Sequence, residues 1–423
     1  MLRSLASSRI GRNSLYMISS QLMLVLLQGL QFFLIARALG PHEFGRVASV
    51  VAFTSAFLPF SGLGLGNIAI MKLARRQGEP ALYLGNALFV ASVTGSLGVG
   101  LALLVGGNFL GDPNAYILLA LFGCSEILLT KYVDIAAHVF FGLERHELAA
   151  AFYNLHMLVR LALAGCLYFL VRSPTALQWA VLHVIGGLLT CVVVVIATVR
   201  RVGRPRVRPA LAWKDVRHGV FFSLTLSARS VYTDIDKAVL GRAASMAAAG
   251  AYTAAYRLVH MAYTPVIAVL VAVQARMFRD GGAGGLRGTR AFAARLCLIG
   301  IAYCLGLAIL LYVAAPMVPF LLGKSYALSS EVMRSLCLLP LLLTLQGVYS
   351  EALAGADAQN IVAGVHIAAA VTSAALNLLL VPLLAWHGAV FAAYGAQIVL
   401  VLGIMAATAS MRRREVKAAA VRA

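Results

Sequence analysis

Charged side chains interrupt several apolar stretches of this 423-residue chain. Seven of its 35 Lys and Arg residues fall inside such stretches, among them Arg160, Arg229, Lys237 and Arg257. A charge at the centre of a bilayer costs about 2.5–3.5 kcal/mol by insertion scales unless it faces a partner or a wet cavity. We therefore expect these cations to line a cavity and to hold an anionic group. On a helix, Arg160 lies about 40° from His156, which extends this polar face.

The other three cations inside apolar stretches have simpler explanations. Arg295 and Arg334 lie close to the starts of their stretches, where a long side chain reaches the headgroup layer. Lys131 has Asp134 one helical turn later. An ion pair with a structural role explains Lys131 as well as a binding site does.

The stretch 219–240 carries the densest set of charges. At 100° per residue, Arg229 and Asp236 fall on one stripe, and Lys237 lies about 80° from Arg229. Arg229 and Asp236 are about 10 Å apart along the axis, so we expect no partner for Asp236 on its own helix. Asp234 and Lys237 are three residues apart and can neutralise each other. The functional interpretation is that the cations bind a phosphate group while Asp236 orients it or carries a coupling proton.

The next stretch adds an aromatic face beside these charges. Tyr252, Tyr256, His260 and Tyr263 recur at i, i+4, i+8 and i+11, and Arg257 lies on the flank of this face. Aromatic rings beside cations suit sugar faces and phosphates. For Tyr252 and Tyr263, an interfacial belt or ordinary packing is an equally good explanation.

Long apolar helices must position these residues. The chain is 61% hydrophobic and only 12% charged, outside the usual composition of a soluble protein. These features predict an all-α polytopic membrane protein with about 12 transmembrane helices in two six-helix lobes around a central cavity. Windows of about 20 apolar residues give twelve spans: 14–35, 47–70, 84–106, 115–141, 148–171, 178–199, 219–240, 249–275, 291–314, 332–354, 361–384 and 389–410.

The basic residues between the spans define the topology. Twenty-three Lys and Arg residues lie on the side of the two termini, against five on the opposite side: Arg37, Arg46, Arg172, Arg242 and Lys324. The positive-inside rule places both termini in the cytoplasm of a bacterial inner membrane. The net charge of +20 is therefore a topology signal with some contact to anionic lipids, and nucleic acid is not an expected partner.

A basic connection divides the spans into two groups of six. It contains Pro205 and Pro209, and the predicted parts are an N-terminal lobe at 1–200, a cytoplasmic linker at 201–218 and a C-terminal lobe at 219–423. Similar turns, at 39–45 and 240–252, point to an internal repeat. Repeats of this kind are typical of transporters that work by alternating access.

Several strings that resemble enzyme or cofactor sites are better explained by helix geometry. Asp234 and Asp236 form a DxD pattern, but on a helix they point about 200° apart, so no metal site is expected. The glycines at 62–66 lie in an apolar span without the strand and helix of a dinucleotide site. No Walker sequence is present. We expect no cofactor, although a proton or sodium ion could drive transport.

Short motifs in a fixed order around the twelve spans resemble the polysaccharide transporter branch of the multidrug/oligosaccharidyl-lipid/polysaccharide flippase superfamily, which includes the O-antigen flippases. One departure is Gly62, where many relatives carry an acidic residue. The motifs are 35–45 (IARALGPHEFG), 62–67 (GLGLGN), 236–241 (DKAVLG), 250–258 (GAYTAAYRL), 322–327 (LGKSYA), 377–382 (NLLLVP) and 388–394 (GAVFAAY).

The resemblance implies a flippase, not an enzyme, for an undecaprenyl-pyrophosphate-linked oligosaccharide of O-antigen (lipopolysaccharide), capsule or exopolysaccharide biosynthesis. It also implies contact with membrane lipids and with glycan polymerase and chain-length proteins. With the cations it assigns substrate binding to Arg160, Arg229, Lys237, Tyr256, Arg257 and His260, and coupling to Asp236. Two alternatives remain: a cation-coupled multidrug antiporter, although span 14–35 has no acid, and a membrane glycosyltransferase or polymerase.

Overall fold

The computed structural model describes residues 9–356 and 358–422, and those ranges contain helices and turns but no strand. The residues 1–8 of the predicted cytoplasmic N-terminus lie outside them. The helices are α1 Arg9–Ser55, α2 Leu65–Ala74, α3 Pro80–Leu110, α4 Ala115–Gly123, α5 Lys131–Gly142, α6 His146–Leu170, α7 Ala176–Val202, α8 Pro209–Ala243, α9 Met246–Ala314, α10 Val318–Leu322, α11 Ala327–Ser335, α12 Leu339–Gly355, α13 Gln359–Leu384 and α14 Trp386–Arg422.

The predicted spans fall on mainly helical segments, although 47–70 and 332–354 each contain a break. In the described part of the chain, nine helices are long and apolar enough to cross a membrane, and α11 with α12 forms a tenth candidate bent by 51°. Helix α1 has 47 residues, a length of about 70 Å, which is twice the apolar core of a bilayer. It therefore holds two spans, which meet at Gly40 with a φ of 68°. Helix α9 is divided in the same way at Gly285.

The second predicted span, 47–70, is a broken helix. Residues 62–64 all adopt positive φ angles between α1 and α2. Helix breaks at membrane depth leave backbone groups that need polar partners. Here the amide of Gly62 donates to Thr94 Oγ1 at 2.9 Å. The hydroxyl of Ser61 donates to the carbonyl of Ile127 at 2.7 Å.

The chain forms two compact units, Met1–Ser227 and Ala228–Ala423. The first unit is built around clusters of small and aliphatic side chains on α2, α3, α5, α6 and α7. In the second unit, α9 packs along α12, and their backbones meet closely: a Cβ atom on Gly281 would lie 2.2 Å from the carbonyl oxygen of Gly355. Small residues permit this approach between membrane helices.

A cluster of ionised side chains joins three connections of the first unit. Arg46 donates to Asp112 at 2.8 Å and to Glu43 at 3.1 Å, and Glu43 accepts from the amide of Ala176 at 2.6 Å. Burial alone would raise the pKa of Asp112, but hydrogen bonds from Arg46 and the amide of Asn114 hold that pKa below its ordinary value. The cluster ties α1 to the loop before α4 and to the start of α7.

The basic connection after α7 is docked on the first unit. The amide of Arg206 donates to the carbonyl of Ala81 at 3.0 Å, and the amide of Arg208 donates to Asn86 Oδ1 at 2.7 Å. Just beyond, Ala212 and Val216 are buried in a cluster with side chains of α2, α3 and α5. The segment therefore crosses the N-terminal end of α3 in a fixed position.

Gly85 permits this docking, which gives a first prediction. A Cβ atom at Gly85 would lie 2.1 Å from the carbonyl oxygen of Arg206, so Gly85→Ala must displace the connection. We expect faster tryptic cleavage after Arg206, because proteases cut backbone that opens locally. Gly100→Ala on the same helix is the control, since no atom lies within 4 Å of its added Cβ. Equal cleavage rates for the two variants would contradict the docking.

Candidate functional site

The C-terminal part of α8 holds a buried ammonium between two carboxylates. Lys237 Nζ lies 3.0 Å from Asp236 Oδ1 and 3.1 Å from Asp234 Oδ1, and it also donates to the carbonyl of Thr233 at 2.6 Å. Tyr252 on α9 donates to the other oxygen of Asp236 at 2.7 Å. Lys237 and Asp236 are 4% and 3% exposed, and charges at such depth persist only when paired and hydrogen-bonded.

These contacts confirm one prediction and correct another. The Asp234–Lys237 pair forms as expected. The expectation that Asp236 has no partner on its own helix is wrong, because a lysine side chain is long enough to reach back to the preceding residue. The carboxylates of Asp234 and Asp236 converge on the ammonium of Lys237, whose position faces between them.

The aromatic face predicted on the next span is present on α9. Tyr252 and Tyr256 stack with ring centroids 6.2 Å apart, Tyr256 and His260 stack at 6.3 Å, and His260 meets Tyr263 edge-on at 6.3 Å. The ammonium of Lys237 lies 4.1 Å from the centre of the Tyr256 ring. This cation–π contact links these four neighbouring rings, the aromatic ladder of α9, to the charges of α8.

Two arginines flank the ladder with exposed side chains. Arg229 on α8 and Arg257 on α9 are both exposed, as is His260. Both guanidinium groups interact electrostatically with His260, and Arg229 also interacts with His366 on α13. Among the described residues Arg229 has no ion pair. The second unit thus presents two arginines and a histidine beside stacked rings, with Lys237 held behind them.

A second polar cluster lies inside the first unit, where α4 continues into a π-helical segment, Cys124–Thr130. Segments of this kind are rare and occur often at functional sites. Hydroxyl groups support it: Ser125 donates to the carbonyl of His183 at 3.2 Å, and Thr130 donates to the carbonyl of Ser125 at 2.9 Å. The segment places Glu126 toward α6 and α7.

Glu126 compensates the charge of Arg160. Its Oε1 atom lies 3.1 Å from Arg160 on α6 and 2.7 Å from Nε2 of His183 on α7. Arg160 also donates to Thr130 at 3.0 Å, while Nδ1 of His156 contacts Thr190 at 2.8 Å. Arg160, predicted to bind substrate, therefore lies in a buried ion pair, and His156 lies beside it as expected.

Glu126 and His183 are the members of this cluster that the sequence analysis did not identify. Glu126 precedes Arg160 by 34 positions and His183 by 57, so no helical periodicity connects them. The available signal was the presence of an acid and a histidine inside apolar spans, each of which requires a partner at that depth.

Asp134, the predicted neighbour of Lys131, interacts electrostatically with Lys131 and accepts a hydrogen bond from Tyr153.

The buried ion pair gives a second prediction. Glu126→Gln leaves the charge of Arg160 uncompensated, and loss of one partner of a buried pair typically costs about 3–5 kcal/mol. We expect a large drop in the thermal unfolding midpoint of the purified protein in detergent. Glu147→Gln, which breaks the exposed pair with Arg145, should change it little, because exposed pairs contribute about 0–1 kcal/mol.

The double variant tests the cause of that destabilisation. Adding Arg160→Gln to Glu126→Gln removes the unpaired charge, so it should restore part of the lost stability. If Glu126→Gln were as stable as Glu147→Gln, the ion pair would have no structural role.

Comparison with known proteins identifies the fold. A multidrug resistance MATE family transporter of the MOP superfamily, in an inward-facing conformation, superposes with a TM-score of 0.75 at 15% identity over 92% of this chain and 96% of that one. The lipid II flippase MurJ, in an inward closed conformation, gives 0.70 at 13% identity over 93% and 87%. A MOP superfamily transporter from Pyrococcus furiosus gives 0.64 at 14% identity over 95% of each chain.

These structures show that the chain has the fold of MOP superfamily transporters. With its nine described helices that are long and apolar enough to cross a membrane, it is a multi-pass membrane protein. No curated protein sequence matches the chain. A sequence family described as polysaccharide biosynthesis protein matches residues 10–275, which is more than half of the chain. The chain therefore belongs to the polysaccharide biosynthesis protein family, in agreement with the resemblance in its motifs.

Proposed function

We propose that this protein is a flippase that moves polyprenyl-pyrophosphate-linked oligosaccharide repeat units from the cytoplasmic to the outer leaflet of a bacterial inner membrane by alternating access. The proposal rests on one face of the second unit, the arginine wall. It exposes Arg229, Arg257 and His260 beside the half-buried ring of Tyr256. Guanidinium groups bind phosphate oxygens and aromatic rings pack on sugars. A phosphorylated headgroup that carries sugars matches both properties.

The family and the fold support this substrate class. The family name places the chain in polysaccharide biosynthesis, and a solved protein of the same fold is a flippase for lipid II. A hydrated pyrophosphate-sugar headgroup cannot cross hydrocarbon unaided, so such a pathway needs a protein of this kind. Repeat units of O-antigen, capsule or exopolysaccharide all have the required chemistry.

The charges in the first unit argue against the antiporter alternative. A transporter for cationic drugs needs an acid that is available to the drug. Glu126 is already neutralised by Arg160 and contacts His183, and no acid lies in the predicted span 14–35. At Glu126 and along the span 14–35, the first unit therefore offers a cation little electrostatic attraction.

The contacts of Lys237 suggest how an ion gradient drives the cycle. Asp236 holds the ammonium at 3.0 Å, and Tyr252 donates to the same carboxylate. Protonation of Asp236 would neutralise one of the two carboxylates that contact the ammonium of Lys237. The ammonium would then be available to the anionic headgroup. Loss of that proton would restore the pair and weaken the hold on the substrate. Asp236 thus remains our coupling residue, with Lys237 as the group it controls.

Loss of the protein provides the test of substrate class. A strain that lacks it should accumulate undecaprenyl-pyrophosphate-linked repeat units in the cytoplasmic leaflet and lose surface glycan, while its resistance to ethidium stays unchanged. Lipid-linked oligosaccharides are measured by mass spectrometry, and leaflet location by access of a glycosidase to inverted vesicles. Ethidium sensitivity with unaltered glycan lipids would instead identify an antiporter.

Complementation connects this test to the site. Wild-type protein and Arg242→Gln, an exposed arginine on the predicted outer side, should restore surface glycan. Arg229→Gln and Arg257→Gln should restore it poorly at equal membrane abundance. Full complementation by both site variants would contradict the proposed role of the arginine wall.

Asp236→Asn gives a prediction about coupling. Asparagine cannot exchange a proton, so flipping in reconstituted vesicles should lose its dependence on a pH gradient, while binding of the lipid-linked substrate remains detectable. Asp234→Asn is the matched control, because Asp234 lies on the same helix and contacts the same ammonium at 3.1 Å but its side chain is 31% exposed. A wild-type gradient response in Asp236→Asn, or equal losses in the two variants, would assign coupling elsewhere.

A further inference from the structure

The first unit has an open apolar groove that the proposed transport cycle does not use. Its volume is about 410 Å³, within the range of ligand pockets. Val192 and Ile196 on its rim are each 47% exposed. One polar pair, Ser92 and Tyr132, hydrogen-bonds within its wall at 2.7 Å. The lining includes Leu88, Ser92, Tyr132, Val192, Val195 and Ile196.

Cationic side chains lie at one end of this groove. On α7, Val192, Ile196 and Arg200 follow one another at intervals of four residues, so Arg200 lies one turn beyond the rim on nearly the same face. Arg200, Arg201 and Arg204 are all exposed. Arg201 uses one nitrogen to hydrogen-bond the carbonyl of Ala197 at 3.1 Å.

The docked connection fixes these arginines relative to the second wall of the groove. Through Arg206 and Arg208 it binds α3 at Ala81 and Asn86, and the groove begins two residues later on α3, at Leu88. Arg206 is paired with Glu79 at 3.0 Å, whereas Arg200 continues the groove-lining face of α7 and Arg204 follows the last turn of that helix. An apolar channel that ends at fixed cations matches one kind of molecule, an acyl chain attached to an anionic headgroup.

We propose that this groove binds an anionic glycerophospholipid of the cytoplasmic leaflet, with an acyl chain in the groove and its phosphate at Arg200 and Arg204. Anionic lipids of this leaflet are attracted to basic segments next to membrane spans. The arginines lie on the side that the positive-inside rule assigns to the cytoplasm. The lipid would hold α3, α7 and the basic connection together. This site is separate from the arginine wall of the second unit.

Binding to purified full-length protein in detergent tests the proposal. Dioleoyl phosphatidylglycerol should bind, whereas dioleoyl phosphatidylcholine and glycerophosphoglycerol, which lack the charge and the chains respectively, should bind at least tenfold more weakly. Arg200→Gln with Arg204→Gln should weaken phosphatidylglycerol binding about 30-fold, because each arginine near a membrane surface contributes about 1 kcal/mol. The control is Arg172→Gln with Arg242→Gln, which removes the same charge from exposed positions elsewhere.

Filling the groove gives an independent readout. Val192→Trp should block the lipid, whereas Val181→Trp, an exposed position on the same helix, should not. Native mass spectrometry measures bound lipid, and the unfolding midpoint should rise with phosphatidylglycerol only in proteins that bind it. Equal weakening by both arginine pairs, or no effect of Val192→Trp, would reduce the interaction to general surface attraction and overturn the proposal. Displacement of phosphatidylglycerol by equimolar undecaprenyl pyrophosphate would assign the groove to the transported lipid and also overturn it.

Discussion

The cost of a charge in hydrocarbon determines where the ionised groups of this protein lie. An uncompensated charge at the bilayer centre is expensive, and each unit contains a buried ion pair. Arg160 meets Glu126 at 3.1 Å in the first unit, and Lys237 meets Asp236 at 3.0 Å in the second. Each pair also has hydroxyl partners, Thr130 and Tyr252. The same constraint applies to the backbone. The break in the second span leaves the amide of Gly62 without a helical partner, and the hydroxyl of Thr94 accepts a hydrogen bond from it.

This constraint separates cations with a structural role from those that can act on a substrate. Arg160 is buried in an ion pair inside the first unit, and its removal would leave Glu126 without that compensating charge. Arg229 and Arg257 are exposed beside aromatic rings, so their guanidinium groups are accessible to a bound molecule. Lys237 falls between these two cases. It is buried and doubly paired, yet a single proton on Asp236 would change its balance.

Much of the fold was predictable because local physics determines it. Apolar length placed the twelve predicted spans on mainly helical segments, and helical periodicity put the rings of Tyr252, Tyr256, His260 and Tyr263 on one face. The missed features are tertiary. The pair of Glu126 with Arg160 joins two helices, the break at 62–64 depends on hydroxyls from other segments, and the contact of Asp236 with Lys237 depends on side-chain reach rather than on angle around the axis. A helical wheel contains none of this information.

The basic connection between α7 and α8 combines a fixed backbone with exposed charges. Its anchoring to α3 uses the backbone amides of Arg206 and Arg208, so the segment is held without using most of its guanidinium groups. One of these side chains pairs with Glu79, and the others keep their charge toward water and headgroups. The charge that orients the chain during insertion is therefore also present, in a fixed position, in the folded protein. A flexible linker would satisfy the positive-inside rule equally well, but it would not hold the exposed arginines that follow α7 in a fixed position on the first unit.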